Sequence, residues 1–248
     1  MSWITVTITR TAGSAPRDAG TQMRVFADHI EGTIGGGALE WEAMRHAREM
    51  LATGKPTERQ TIPLGPNLGQ CCGGSVQLDY LADAATQTSP ARNIWIYGAG
   101  HVGRALVSTL SLLPDVEITW VDTGADRFPE TIPENVTALP AADPARAAKH
   151  APMDAEHLIL TYSHDMDLAI CHTVLSGPFG SIGLIGSATK WARFKTRLAA
   201  LGHGPAKIGQ IACPIGDPSL GKHPSQIAIG VAAAMIAPAN RRQRDQTA

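Results

Sequence analysis

Apolar and polar side chains alternate from Ile4 to Thr9, with Ile4, Val6 and Ile8 on one side and threonines on the other. That two-residue period is the signature of a strand with one buried face. Similar short runs at Gln22–Phe26 and Glu31–Ile34, separated by turn-forming residues around Ala15–Gly20 and Ala27–His29, predict a small sheet. The period then changes. Leu39, Ala43, Met44, Ala47 and Leu51 fall on one face of a helix predicted over Ala38–Leu51, which Gly54 and Pro56 stop. A strand at Arg59–Ile62 and a second alternation through Val76, Leu78 and Tyr80 follow, so the intervening segment connects two strands. From Ala82 to Arg92 apolar periodicity disappears, as in a linker.

Beyond the linker the pattern becomes strand, helix, strand. Strands are predicted at Asn93–Tyr97, Val116–Val121, Val136–Ala138, His157–Leu160 and Ser181–Ile185. Helices are predicted between and after them at Val102–Leu113, Ala145–His150, Asp165–Leu175, Ala188–Leu201 and Ser225–Ile236. Such alternation implies a parallel sheet covered by helices. The fold class expected is therefore α/β: a small N-terminal α+β domain at 1–82, a linker at 83–92, a Rossmann-like domain at 93–238 and a frayed tail at 239–248.

Composition narrows the function classes. The chain has 248 residues, a formal net charge of -1 and 17% charged residues, without the basic footprint of a nucleic-acid binder. No run approaches the ~18 apolar residues of a membrane span. The start lacks a basic stretch followed by an apolar run, which argues against export and for a cytoplasmic location. The four cysteines do not make a disulfide framework and are expected to be reduced.

Candidate chemistry begins with Cys71 and Cys72, adjacent thiols in Leu68-Gly69-Gln70-Cys71-Cys72-Gly73-Gly74-Ser75. Two thiolates in a glycine-rich connection can bind a soft metal or carry sulfur; two inert thiols beside a turn are the bland alternative. Gly35, Gly36 and Gly37 directly precede the first helix and expose backbone amides suited to an anionic group, unless they form a plain entry turn. Arg17, in Ser14-Ala15-Pro16-Arg17, offers a forked donor in a turn. If the first half folds compactly, these three features line one pocket.

The second half opens on Tyr97-Gly98-Ala99-Gly100-His101-Val102-Gly103, a Gly-x-Gly-x-x-Gly run between a strand and a helix. Gly98 permits the tight turn, Gly100 the approach of a pyrophosphate and Gly103 close helix–strand packing. Asp122 ends the next strand, where an acid can accept hydrogen bonds from ribose hydroxyls, so NAD(P) is a candidate ligand. His101 begins the helix after the glycine loop. Ser163 or Asp165 is placed to cap a helix, which leaves His164 as a proton handler or anion contact. Lys190, Arg193, Lys195 and Arg197 form a basic helix face, by default solvated and otherwise a patch for an anion or partner. Cys171 belongs to the core, Cys213 is one thiol in a loop, and no histidine or cysteine pair has zinc-site spacing.

These residues resemble the XdhC/CoxI family, accessory factors for xanthine dehydrogenase and related molybdenum hydroxylases. The resemblance runs nearly end to end. It rests on Gly13–Arg17, Gly32–Glu40, Gln70–Gly74, Tyr97–Gly103, Ser163–Leu168, Ile185–Ser187 and Cys213–Gly216, in that order. It implies a two-domain protein that binds molybdenum cofactor (molybdopterin), supports its sulfuration by a cysteine desulfurase and delivers it to apo-xanthine dehydrogenase. On this basis Cys71 or Cys72 is expected to contact molybdenum or its exchangeable sulfur, with Arg17 and Gly35–Gly37 holding an anionic part. Such a protein is a cofactor-insertion chaperone with no catalytic residue assigned. The competing classes are an NAD(P)-dependent oxidoreductase using Gly98–Gly103 and Asp122, and a docking adaptor with a vestigial nucleotide fold. A small sheet domain on a polar linker also permits exchange within a homodimer.

Overall fold

The computed structural model describes residues 2–65, 74–84 and 92–237. The chain divides into two compact units, Met1–Thr88 and Ser89–Ala248. Both are mixed in the sense the patterns predict.

The first unit contains β1 (Ile4–Ala12), β2 (Gln22–Val25), β3 (Ile30–Gly32), α1 (Gly37–Thr53), β4 (Thr57–Leu64) and β5 (Gly74–Ala82). The strands form an antiparallel sheet in the order β3-β2-β1-β5-β4, with β1 at its centre. The alternating residues of β1, β2 and β5 present Ile4, Val6, Ile8, Met23, Val25, Val76, Leu78 and Tyr80 to one buried cluster with Leu39, Ala43, Ala47 and Met50 of α1. Gly54 ends α1 in the left-handed region, its amide donating to the Met50 carbonyl, a common helix stop because glycine has no Cβ to clash there. β1 is longer than alternation predicts. After a bulge between Ile8 and Arg10 the exposed Arg10 and Ala12 and the half-buried Thr11 still pair with Gln77, Ser75 and Val76 respectively, because sheet pairing uses backbone groups and continues past the buried face.

The second unit contains β6 (Arg92–Tyr97), α2 (His101–Leu110), β7 (Val116–Asp122), β8 (Val136–Pro140), α3 (Pro144–Ala147), β9 (Glu156–Ile159), α4 (His164–Leu175), β10 (Ser181–Leu184), α5 (Ala188–Ala200), α6 (Pro205–Ile208), β11 (Ile211–Ala212) and α7 (Pro224–Ile236). All its strand pairs are parallel, in the order β11-β10-β9-β6-β7-β8. This is the doubly wound order, whose direction reverses between β6 and β9 and opens a crevice at their carboxyl ends. Both faces are covered. Ile94 and Ile96 of β6 pack with Leu106, Val107 and Leu110 of α2 and with Ala228 and Val231 of α7. Trp95 and Tyr97 point to the other side, toward Leu168 and Cys171 of α4 and Phe194 and Leu198 of α5. β11 and α6, of two and four residues, are too short to carry a hydrophobic period. No described helix is long and apolar enough to cross a membrane.

A tight glycine contact joins the first turn of α2 to the turn after β6. A Cβ on Gly103 would sit 1.9 Å from the Gly98 carbonyl oxygen, so no side chain fits without moving backbone. Gly103→Ala should therefore cost at least about 1–3 kcal/mol in denaturant unfolding. Gly100→Ala, with nothing within 4 Å of the added carbon, should stay within about 0.5 kcal/mol of the parent. Equal stability of the two variants would contradict the packing.

Tyr97 and His157, on adjacent strands, are both buried, with the phenol oxygen 2.9 Å from His157 Nδ1. Burial pushes the His157 pKa from 6.5 down to about 4 and raises that of Tyr97. Folded His157 thus stays neutral through a window in which the unfolded chain binds a proton. Its contribution to stability is complete above about pH 6.5 and is lost as pH falls toward 4, by roughly 3 kcal/mol over the window. Unfolding free energies at about pH 7.5 and about pH 4.5 should differ less in His157→Gln than in the parent; an unchanged difference would rule this contribution out.

Candidate functional site

In the first unit the structure brings two of the predicted features together. The turn Gly13–Arg17 follows β1, and the glycine turn lies between β3 and α1. A Cβ on Gly35 would lie 2.9 Å from Pro16 Cβ and 3.4 Å from Arg17 Cγ, so the two turns touch. Gly35, Gly36 and Gly37 all have positive φ, at 127°, 72° and 64°. Three consecutive residues of this kind turn successive amides in a way that side-chain-bearing residues rarely tolerate. Cys71 and Cys72 lie outside the described residues. The segment carrying them joins β4 to β5, whose ends pair Leu64 with Gly74. A Cβ on Gly74 would meet the Ser14 carbonyl oxygen at 2.2 Å and the Ala12 carbonyl oxygen at 2.7 Å. The residue where β5 begins is thus pressed against the turn that carries Arg17.

One part of the expectation changes. The amides of this corner already serve a carboxylate of the protein itself, Glu40. Its Oε2 accepts from the Ile34 amide at 3.0 Å and the Gly36 amide at 3.2 Å, and from the Thr33 hydroxyl. Burial pushes the Glu40 pKa upward, but the Thr33 hydroxyl and the surrounding amides outweigh it and hold the carboxyl below its ordinary value. Sequence reasoning missed Glu40, although it closes the Gly32–Glu40 stretch on the first turn of α1. Arg17 remains exposed, and the Gly37 amide has no protein acceptor among the described residues.

In the second unit Gly98, Gly100, His101, Gly103 and Asp122 gather at the turn from β6 to α2. Gly98 adopts φ 117°, and a Cβ there would sit 2.5 Å from the Leu160 carbonyl oxygen at the end of β9. Gly100 heads α2 without a side-chain cap, and His101 is exposed on the first turn. Asp122 differs from the expectation of an acid open to ribose. It is 4% exposed; Oδ2 accepts from the Ala99 amide at 2.6 Å, and Oδ1 accepts from the Thr123 amide at 2.6 Å with Arg127 Nε at 3.5 Å. Its oxygens hold the glycine loop rather than facing outward. Arg104 clamps the same loop, donating to the Ala99 carbonyl at 3.1 Å and to the Arg127 carbonyl at 2.6 Å. The Arg127 guanidinium in turn lies 4.9 Å from the centroid of the exposed Tyr162 ring.

The neighbouring strand ends carry a charge pair that the sequence did not reveal. Asp167 is fully buried and accepts from the Thr161 amide at 2.9 Å, the Thr161 hydroxyl at 2.7 Å and Lys190 Nζ at 2.6 Å. Lys190 also donates to the Ile185 carbonyl at 2.8 Å. Its side chain is 9% exposed, so Lys190 belongs to the interior and not to the solvated helix face expected for it. The available signal was Asp167 itself, an acid among the apolar residues of α4. Ser163 caps α4, accepting from the Met166 amide, while His164 sits exposed at the first helical position. The Cys213 sulfur would lie 3.2 Å from a Cβ on Gly186. Burial raises the thiol pKa of Cys171 and of Cys213, which keeps both protonated and poorly nucleophilic. Among the described residues no group of three or more His, Cys, Asp or Glu is arranged to hold a metal.

Known proteins place this arrangement. The family model described as the XdhC Rossmann domain matches residues 94–235, and that of the XdhC and CoxI family matches residues 2–62. An uncharacterized protein, YqeB of Escherichia coli K12, is 27% identical over 229 residues, covering 90% of this chain and 41% of that protein. The chain therefore spans about two fifths of that relative's length. A solved structure from Bacillus halodurans, described as a xanthine dehydrogenase, is similar with a TM-score of 0.79 at 17% identity, over 95% of this chain and 91% of that one. That likeness shows a shared fold. With a Rossmann-domain match over more than half its length and a second match over the first unit, the chain belongs to the XdhC and CoxI family.

Proposed function

We propose that the chain is an accessory protein of xanthine dehydrogenase maturation, which binds molybdenum cofactor, supports its sulfuration by a cysteine desulfurase and inserts it into the apo-enzyme. Family membership supports the setting. The observation that carries the chemistry is the convergence in the first unit of the Arg17 turn, the Gly35–Gly37 turn and Gly74. The cargo is a pterin with a phosphate and a dithiolene-bound molybdenum. A soft metal calls for thiolate, supplied by Cys71 or Cys72, and an anionic group calls for the Arg17 guanidinium and the remaining amide at the head of α1.

A second reading, an NAD(P)-dependent oxidoreductase, draws on the glycine loop at the switch point of a doubly wound sheet. Against it stands Asp122, whose carboxylate is buried and engaged by the Ala99 and Thr123 amides.

Cys71→Ala/Cys72→Ala should retain at least about tenfold less cofactor on purification, read as fluorescence of the oxidised pterin, and should lose activation of apo-xanthine dehydrogenase. Full retention together with full activation would overturn the assignment of the thiols. In thermal unfolding of the full chain, molybdenum cofactor should raise the midpoint, whereas NAD(H) and NADP(H) should leave it unmoved, since a ligand of the native state stabilises that state. A nicotinamide shift without a cofactor shift would favour the oxidoreductase.

A further inference from the structure

Beside the carboxyl ends of β9 and β10 lies a concave pocket of about 240 Å³, lined by His164, Ser187, Thr189, Lys190, Arg193 and Arg197 around the Phe194 ring. Every ionisable group in that lining is basic. Lys190 is balanced by the buried Asp167. Arg197 pairs with Asp165 at 2.9 Å, but both are exposed, the acid by 83%, and such surface pairs exchange readily for a better partner. Arg193 has neither an acid nor any other acceptor among the described residues. His164 meets the Phe194 ring edge-on at 6.4 Å and has no hydrogen-bond partner among the described residues. Ser187 Oγ accepts from the Lys190 amide at 3.2 Å, so its hydroxyl proton is available as a donor. Lys195, on the same helix, lies 5.8 Å from the Trp191 ring centroid and does not line the pocket.

We propose that this pocket binds the phosphate monoester group of a small ligand. Two guanidiniums offer forked donors matched to phosphate oxygens, and hydroxyls of Ser187 and Thr189 add neutral donors. No unpaired carboxylate opposes the anion. The Phe194 ring, 2% exposed, closes the floor of the pocket beneath the Lys190 ammonium, which lies 5.2 Å from its centroid. The volume suits a phosphate and a few attached atoms rather than a whole dinucleotide, since pockets that enclose a drug-sized ligand begin near 300 Å³. Its place at the carboxyl ends of parallel strands is where open α/β sheets bind their ligands. The site needs neither the thiols nor the first unit, so it stands or falls separately from the cofactor reading.

The test uses the full-length chain and inorganic phosphate, with chloride holding ionic strength constant. Calorimetric titration should give saturable binding to the parent protein. Arg193→Gln should weaken it at least fivefold and Arg193→Gln/Arg197→Gln should abolish it, whereas Lys195→Gln, which removes the same charge from the same helix, should leave it within twofold. Amide resonances should shift at His164 and across Ser187–Arg197. Absence of binding to the parent at millimolar phosphate, an equal loss in Lys195→Gln, or shifts confined to His101–Gly103 would each overturn the proposal. Arg193 is exposed, and unchanged thermal midpoints in the variants separate lost binding from lost folding.

Discussion

A charge buried away from water must be paired, and in the second unit Asp167 imposes that requirement on four segments at once. The carboxylate belongs to α4, two of its donors to Thr161 beyond β9, and the third to Lys190 of α5, which also holds the Ile185 carbonyl beyond β10. Removing one partner would leave an uncompensated ion in the interior, at a cost of several kcal/mol. The loops at the carboxyl ends of two neighbouring strands are therefore not independently adjustable. Their fixed geometry is what allows His164, Ser187 and the exposed arginines to stand around a single concave surface.

The same logic recurs at both glycine turns. Asp122 accepts the Ala99 amide, and Glu40 accepts the amides of Ile34 and Gly36. In each case backbone donors freed by an irregular turn are gathered by a carboxylate of the chain itself, so that the turn is ordered before any ligand arrives. These carboxylates leave unengaged the Gly100 turn in one unit, and the Arg17 guanidinium and Gly37 amide in the other.

Much of this fold is legible because apolar periodicity reports buried faces. The alternation of Ile4, Val6 and Ile8, the stripe from Leu39 to Ala47, and the switch to strand–helix alternation after the linker all correspond to observed elements. The glycine motifs were legible for a related reason: Gly98 and Gly103 occupy positions where a Cβ would strike backbone. Elements of a few residues, such as α6 and β11, carry no period to detect. The polar interior was not legible either. Lys190 looks like any lysine on a basic helix until Asp167, 23 residues away in sequence, is brought to 2.6 Å. Glu40 looks like a surface acid, and Asp122 like an acceptor for ribose, until the turns bring the amides of Ile34, Gly36, Ala99 and Thr123 to them. Long-range partners decide what a polar residue does, and pattern along the chain cannot show them.

Glu40 has a consequence for discrimination. Because it is joined by a short stretch of chain to the amides it holds, it competes for them at an effective concentration on the order of millimolar or above. Free monovalent anions of similar intrinsic affinity, chloride or a simple carboxylate, must outcompete a rival that never diffuses away. In the proposed role, a ligand displaces Glu40 only by gaining a further contact at the same time, such as the Arg17 guanidinium. In that role the carboxylate sets a threshold of multivalency, because a single weak contact does not displace an acceptor tethered to its own donors.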